Sequence, residues 1–241
     1  MKVDVYSVIR NEEQILPYFL RHYESFCERI FLYDDNSDDR TKDIAGQCAK
    51  VELRIPPYTG IDDAKQAELY GTAYRETSRG IADWVICVDS DEFVYHPKIQ
   101  SILEKHLELG TQIIAPAGHE MLSDFFPSTP GQIYEEIKTG FSEPWYSKPI
   151  VFRPGLDMNF EPGRHNTANG PICKDSGLKL LHYRYLGLGY CESRNMRNAS
   201  RLTEANKVRG YGAHVLATDN TSHSLKWYQE KALKERKNCL E

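Results

Sequence analysis

The stretch that most constrains this chain runs Asp83-Trp84-Val85-Ile86-Cys87-Val88-Asp89-Ser90-Asp91-Glu92-Phe93. An unbroken apolar run, Trp84 to Val88, leads straight into three carboxylates. Such a run predicts a buried strand, and its lack of alternation predicts cover on both faces. The acids begin where the strand would end, at the carboxyl edge of a sheet, where open α/β folds place their ligands. Crowded carboxylates repel one another, and a cation is the natural neutraliser. Asp89 and Asp91, two apart, can both face one hard metal, directly or through water. For an isolated Asp-x-Asp triplet a solvated strand end is the plainer reading; the preceding strand and the upstream pattern reverse that balance.

Upstream, the same arrangement occurs twice more. Val3 to Ile9 reads as a first strand, closed by Arg10-Asn11-Glu12-Glu13. Asn11 is a candidate helix N-cap, with Gln14 completing a capping box. Ile15, Leu16, Phe19, Leu20, Tyr23 and Phe26 then recur at helical spacing, with Pro17 demanding a separate first turn or a kink. Arg29 to Tyr33 is a second strand, followed by Asp34-Asp35-Asn36-Ser37-Asp38-Asp39-Arg40-Thr41. Ser37 or Asn36 can cap the next helix, which leaves Asp34 and Asp35 to accept hydrogen bonds from a ligand. Val51 to Ile55 is a third strand, and Asp62 to Arg79 a helical segment. Strands and helices alternating in this way predict βα units and a mostly parallel sheet. All three acidic clusters then fall on one edge of it.

In the order and spacing of these three motifs the chain resembles the family 2-like nucleotide-sugar glycosyltransferases of the GT-A fold. The Asp89-Ser90-Asp91-Glu92-Phe93 segment resembles the Asp-x-Asp-Glu-Phe variant of a bacterial subgroup related to glycosyltransferase family 92. The resemblance covers the first ~100 residues best. It implies an α/β GT-A-like Rossmann-type sandwich with a mostly parallel central sheet flanked by helices. It implies that Asp35 and Asp34 contact the base or ribose of a nucleoside diphosphate, that Arg10, Asn11 and Glu12 shape the nucleotide pocket, and that Lys65 lies near the nucleotide. Asp89 and Asp91 would hold Mn²⁺ or Mg²⁺ on the diphosphate, Asp91 as the direct ligand.

The second half is less regular. Ile99 to Leu109 is an amphipathic helix stopped by Gly110, and Thr111 to Pro116 a strand. The segment from Gly118 to Glu143 reads as irregular, an acceptor-side loop carrying Glu120, Asp124, Glu135 and Glu136. Phe141, Trp145 and Tyr146 suit either core packing or the faces of sugars. Lys148 to Pro154 resembles a later strand of the related subgroup, and Leu178 to Tyr185 is a strand containing His182. By the resemblance His182 completes the metal site, with His165 as competitor; a hydrogen-bonded core histidine is the plainer alternative. Family 2-like enzymes of the inverting type carry a late catalytic base. Glu161 stands in about that place, with Asp124 as rival, although the usual acidic motif is not evident. Arg194, Arg197, Arg201 and Arg209 fall in a helical stretch from Gly187 to Arg209. They are read either as a solvated face or as partners of a diphosphate or anionic acceptor.

The division expected is one glycosyltransferase domain. Residues 1–98 form its nucleotide-sugar and metal half and 99–221 its acceptor half, with a basic amphipathic helix at 222–241 that docks on the protein or lies on a membrane surface. A net charge of −5 with both signs interspersed gives no pointer to nucleic acid. No apolar run reaches membrane-spanning length, and the opening Met1-Lys2-Val3-Asp4 lacks a signal-peptide core, so the cytoplasm, or the inner face of its membrane, is the expected location. The six cysteines are scattered without a Cys-x-x-Cys pair and are read as reduced. The predicted activity is metal-dependent transfer of a sugar from a nucleoside-diphosphate sugar, a UDP-sugar first, to a glycan or glycolipid hydroxyl in cell-surface polysaccharide synthesis. Two other classes fit the acids: a sugar-phosphate nucleotidyltransferase, which would usually add a Gly-rich phosphate loop after the first strand, and a non-catalytic nucleotide-sugar or glycan-binding module.

Overall fold

The computed structural model describes residues 1–167, 170–212 and 225–240. Its first half follows the predicted alternation: β1 (Val3–Ile9), α1 (Leu16–Glu24), β2 (Arg29–Asp34), α2 (Thr41–Ala45), β3 (Val51–Arg54), α3 (Asp63–Thr72), α4 (Tyr74–Thr77) and β4 (Trp84–Cys87). Strands β3, β2, β1 and β4 are adjacent and parallel. Successive side chains of a strand point to opposite faces, and both faces here are covered. Val3, Val5, Trp84, Ile86 and Val88 join Leu16, Phe19 and Leu20 of α1 in one core. Tyr6, Phe31, Val85 and Cys87 join Leu69, Tyr70 and Tyr74 of α3 and α4 in the other.

Two local expectations change. Asn11 does not cap α1: it takes a left-handed conformation (φ 52°) and bonds across to the β2 loop, and the helix starts at Leu16 without a side-chain cap. Pro17 then falls in the first turn, where its missing N–H costs nothing. The segment 62–79 is two helices, opened by Asp62, whose carboxylate accepts from the Lys65 N–H at 3.1 Å.

Beyond β4 the chain leaves the first sheet. After β5 (Glu92–Tyr95) and α5 (Ile99–Glu108) come β6 (Ile113–Ile114), β7 (Ala117–Ser123), α6 (Ile133–Glu136), β8 (Thr139–Ser142), β9 (Val151–Phe152), β10 (Ile172–Cys173) and β11 (Lys179–Leu186). Then follow α7 (Leu188–Ala199), α8 (Glu204–Arg209) and, after a helical segment from 225 to 235, β12 (Lys237–Asn238). Strands β9, β6 and β10 extend the first sheet to seven strands, in the order β10-β6-β9-β4-β1-β2-β3. The others form a second sheet, β12-β8-β7-β11-β5. The stretch from Gly118 to Glu143 is therefore not a loop. It holds two strands of the second sheet, disguised because β7 buries the carboxylate of Glu120 where an apolar side chain is the usual occupant.

The tail helix spends its apolar face on the protein. Tyr228 and Ala232 pack with Leu122, Tyr185 and Cys191, so that face is not offered to a lipid surface. The limit expected at residue 221 lies outside the described residues. Among the described residues no helix is long and apolar enough to cross a membrane, and all six cysteines are free thiols.

Candidate active site

A cavity of about 800 Å³ opens at the carboxyl ends of β1, β2 and β4. Helix α7, β11 and the 161–166 loop supply much of the rest of its lining.

On the β1–β2 side, neighbouring acids have different tasks. Asp34 turns into its own loop, accepting from the Ser37 N–H at 3.1 Å and from the Ser37 hydroxyl, and is absent from the cavity wall. Asp35 reaches the cavity; its Oδ2 accepts from the Gly60 N–H at 2.8 Å and from Arg201. Arg10 lines the cavity while donating to the Asp35 carbonyl at 2.7 Å. Asn11 staples the two loops together through Asp38 (2.6 and 2.9 Å) and does not face the cavity. Glu12 does face it, with carboxylate oxygens 3.7 Å from Arg194 and from Arg197. Burial raises its carboxyl above the ordinary range, against the pull of those arginines. Lys65 is exposed and outside the cavity, contrary to its expected place by the nucleotide. The next residue, Gln66, lines the wall and donates to Asp89 Oδ1 at 3.1 Å.

The second wall begins with Asp89 and Asp91, on the link from β4 to β5. Asp89 pairs with Arg164 at 2.6 Å. Arg164, buried and left-handed (φ 60°), also donates to the Cys87 carbonyl at 3.0 Å and lies over the Tyr70 ring. Glu92, fully buried, takes Lys148 at 2.5 Å. Burial would raise the Glu92 carboxyl, but Lys148 and then Arg164 outweigh it and bring it to about 2. Asp91 Oδ2 meets both Arg194 (2.5 Å) and His182 Nε2 (3.2 Å). Its burial is likewise overcome by those cations, which hold the carboxyl well below the usual range.

His182 is placed by strand pairing. In the second sheet it stands opposite Glu92 on β5 and Glu120 on β7, so the three side chains form one row. Its Nδ1 comes within 3.2 Å of Glu120 Oε1, close enough for ion pairing but not aligned as a hydrogen bond. Burial lowers its pKa, but Glu120 and Asp91 together raise it to about 10, so the ring is an imidazolium at neutral pH.

The donor set bears on a divalent cation. Among the described residues no three His, Cys, Asp or Glu side chains stand ready to hold one. Asp91 and His182 nevertheless converge, and a carboxylate behind the far nitrogen is the usual outer partner of a metal-binding histidine. The residues fit a cation at Asp91 and His182 once the ring gives up its Nε2 proton, because an imidazolium has no lone pair to offer a metal. Asp89 can join only by releasing Arg164.

The expected bases are separated by the structure. Glu161 lies at the cavity mouth, its carboxylate accepting from Asn166 at 3.1 Å. Asp124 is outside the cavity, 61% exposed and 3.8 Å from Arg236, which removes the geometric ground for its rivalry. Glu135 and Glu136 serve the turns around α6, accepting from the N–H groups of Gln132, Ser128 and Thr129. His165 is 4.2 Å from the Trp145 ring, centroid to centroid, and its Nδ1–H donates to the Trp145 carbonyl at 2.7 Å. Burial lowers its pKa to about 4, so it is neutral. Arg164, Lys148 and Arg184 were not singled out by sequence reasoning. A clue to Arg164 is available in Pro162-Gly163-Arg164, a turn-forming triplet that directs a cation inward.

A sequence profile for glycosyl transferase family 2 matches residues 4–163. No curated protein sequence matches. Among solved structures, residues 1–349 of TarS from S. aureus in complex with UDP superpose with a TM-score of 0.51 at 15% identity, covering 98% of this chain and 77% of that one. A longer TarS chain from S. aureus is 14% identical, with a TM-score of 0.47 and coverage of 90% and 42%. Glucosyl-3-phosphoglycerate synthase from Mycobacterium tuberculosis, in complex with Mn²⁺, UDP and glucosyl-3-phosphoglycerate, is 22% identical over 48% of this chain and 44% of that one, with a TM-score of 0.37.

Proposed function

The chain belongs to glycosyl transferase family 2, and on that premise we propose that it moves a sugar from a nucleoside-diphosphate sugar to a hydroxyl of a glycan or glycolipid. We take the nucleotide to be uridine, the one held by the TarS chain of the same fold. The observation that carries the reading is the convergence of Glu12, Asp35 and Asp91, from the ends of three parallel strands, on one cavity. The Asp89-Ser90-Asp91-Glu92-Phe93 segment is the ground for placing the chain with the subgroup related to family 92.

In this reading Asp35 accepts from the nucleoside, and Arg10 and Glu12 shape its pocket. Asp91 and His182, the ring having lost its Nε2 proton, would hold a divalent cation, Mn²⁺ or Mg²⁺, which would supply Lewis-acid neutralisation of the departing diphosphate. Glu120 orients the His182 ring, and Lys148 and Arg164 keep Glu92 and Asp89 fixed beneath the site. Glu161, at the mouth, takes the proton of the acceptor hydroxyl as that oxygen attacks the anomeric carbon from the face opposite the leaving group, inverting it. Residues 1–98 form the donor half, joined there by His182 and α7, and the rest of 99–221 the acceptor half; the product would enter cell-surface polysaccharide.

Calorimetric titration of UDP, GDP and dTDP, with and without Mn²⁺, tests this on the wild type and on Asp91→Asn. The expected result is UDP binding that needs Mn²⁺ and weakens about 100-fold or more in the variant. Diphosphate binding indifferent to both metal and Asp91 would return the acids to a purely structural role.

A further inference from the structure

Glu12, Asp35 and Asp91, the three acids that converge on the cavity, are each already held by an arginine from the same helix region. Arg194 meets Asp91 at 2.5 Å and Glu12 at 3.7 Å, Arg197 meets Glu12 at 3.7 Å, and Arg201 meets Asp35. Arg194 and Arg197 lie within α7, and Arg201 follows its end by two residues. Arg194 and Arg197, at i and i+3, share a face of the helix, and Arg201 stands in the turn beyond its end.

Two further observations point to an anionic ligand. First, buried guanidinium nitrogens of cavity-lining arginines have no hydrogen-bond partner among the described residues: Nε of Arg10 and Arg194, and Nη2 of Arg184. A buried donor without an acceptor is costly, and phosphoryl oxygens are the acceptors that guanidinium groups match best. Second, Arg194 and His182 crowd one oxygen, Asp91 Oδ2. A divalent cation arriving at Asp91 adds positive charge at that spot and repels Arg194.

Resting on the donor reading above, we propose that α7 is a diphosphate clamp. Arg194 and Arg201 are its binding residues, exchanging the carboxylates of Asp91 and Asp35 for phosphoryl oxygens as the donor enters. Arg197 stays on Glu12 and orients Arg194. The exchange conserves charge: carboxylates released by the arginines pass to the cation and to the nucleoside, and the arginines pass to the diphosphate. The clamp therefore grips the diphosphate, whatever nucleoside or sugar is attached to it.

Inorganic pyrophosphate, titrated calorimetrically without divalent metal beside UDP with Mn²⁺, tests the clamp. Arg201→Gln should weaken pyrophosphate about tenfold or more. Asp35→Asn removes the competing carboxylate and should tighten pyrophosphate while weakening UDP. A merely structural role for the Arg201–Asp35 pair predicts that neither variant gains affinity for anything. Circular dichroism and thermal unfolding identify a variant that fails to fold, and Arg194→Lys, which keeps the charge on Asp91 but loses the forked donor, then takes its place with the same expected loss. Pyrophosphate binding equal to wild type in Arg201→Gln, no gain in Asp35→Asn, or no pyrophosphate binding by the wild type overturns the clamp, even if UDP binds. Pyrophosphate behaving as expected while UDP fails to bind leaves the clamp standing and overturns the nucleotide donor.

Discussion

The two edges of the seven-stranded sheet treat buried charge in opposite ways. At the amino edge Asp4 is fully buried, and its carboxylate takes Arg29 at 2.6 and 3.2 Å and the Ser78 hydroxyl at 2.5 Å. Both oxygens of Asp4 are matched. At the carboxyl edge, where the second sheet meets the first, the acids are also paired with cations, but hydrogen bonds are left unmade. Both oxygens of buried Glu120, Nδ1 of His182 and several guanidinium nitrogens lack aligned partners among the described residues. A closed pair stabilises the fold; an open network keeps capacity for something that arrives later.

The largest test of that contrast is at the closed edge. Asp4→Ala strands Arg29 and Ser78 and should cost about 3–5 kcal/mol in urea unfolding. Nucleotide affinity of the molecules that remain folded should be unchanged. A loss of affinity as large as the loss of stability would show that the edges are not independent.

At the open edge the sharper probe is pH. The folded pKa of His182, about 10, stands above its unfolded value. Its contribution to stability is therefore fully present below about pH 6.5 and is lost as pH rises toward 10. Thermal unfolding midpoints should fall across that window in the wild type and more gently in His182→Gln. Equal slopes would mean that the imidazolium is not what holds Asp91 and Glu120 together.

The smallest effect on stability belongs to the rim. Trp145 is 67% exposed, and Trp145→Ala should change unfolding free energy by less than about 0.5 kcal/mol. If the rim receives a sugar face, the same change should raise the acceptor KM and leave the donor KM alone. An unchanged acceptor KM would remove Trp145 from the acceptor side.

How much of this was legible in the chain follows from periodicity. β1, β2 and β4 are largely apolar runs, Asp4 and Ser7 of β1 apart, and could be read directly, and with them the edge on which Glu12, Asp35 and Asp91 meet. Side-chain direction was harder. Asp34 and Asp35 are indistinguishable as letters, yet one closes its own loop on Ser37 and the other faces the cavity. Lys65 and Gln66 differ by about 100° of helix rotation, and only the second reaches the wall. The second sheet was missed at β7 because Glu120, His119 and Gly118 break the apolar alternation that marks a strand. Arg164 meets Asp89 across 75 positions of sequence, a distance that no local pattern spans.

The Asp89–Glu92 link also acts as a span of fixed length. Cys87 is still paired in the first sheet with Tyr6, and Glu92 is already paired in the second with His182. Between them lie only Val88, Asp89, Ser90 and Asp91. One residue more or fewer would slip β5 by one register and turn Glu92 away from His182. The motif is thus a measured bridge between two sheets, and its chemistry can be varied residue by residue only while its length stays the same.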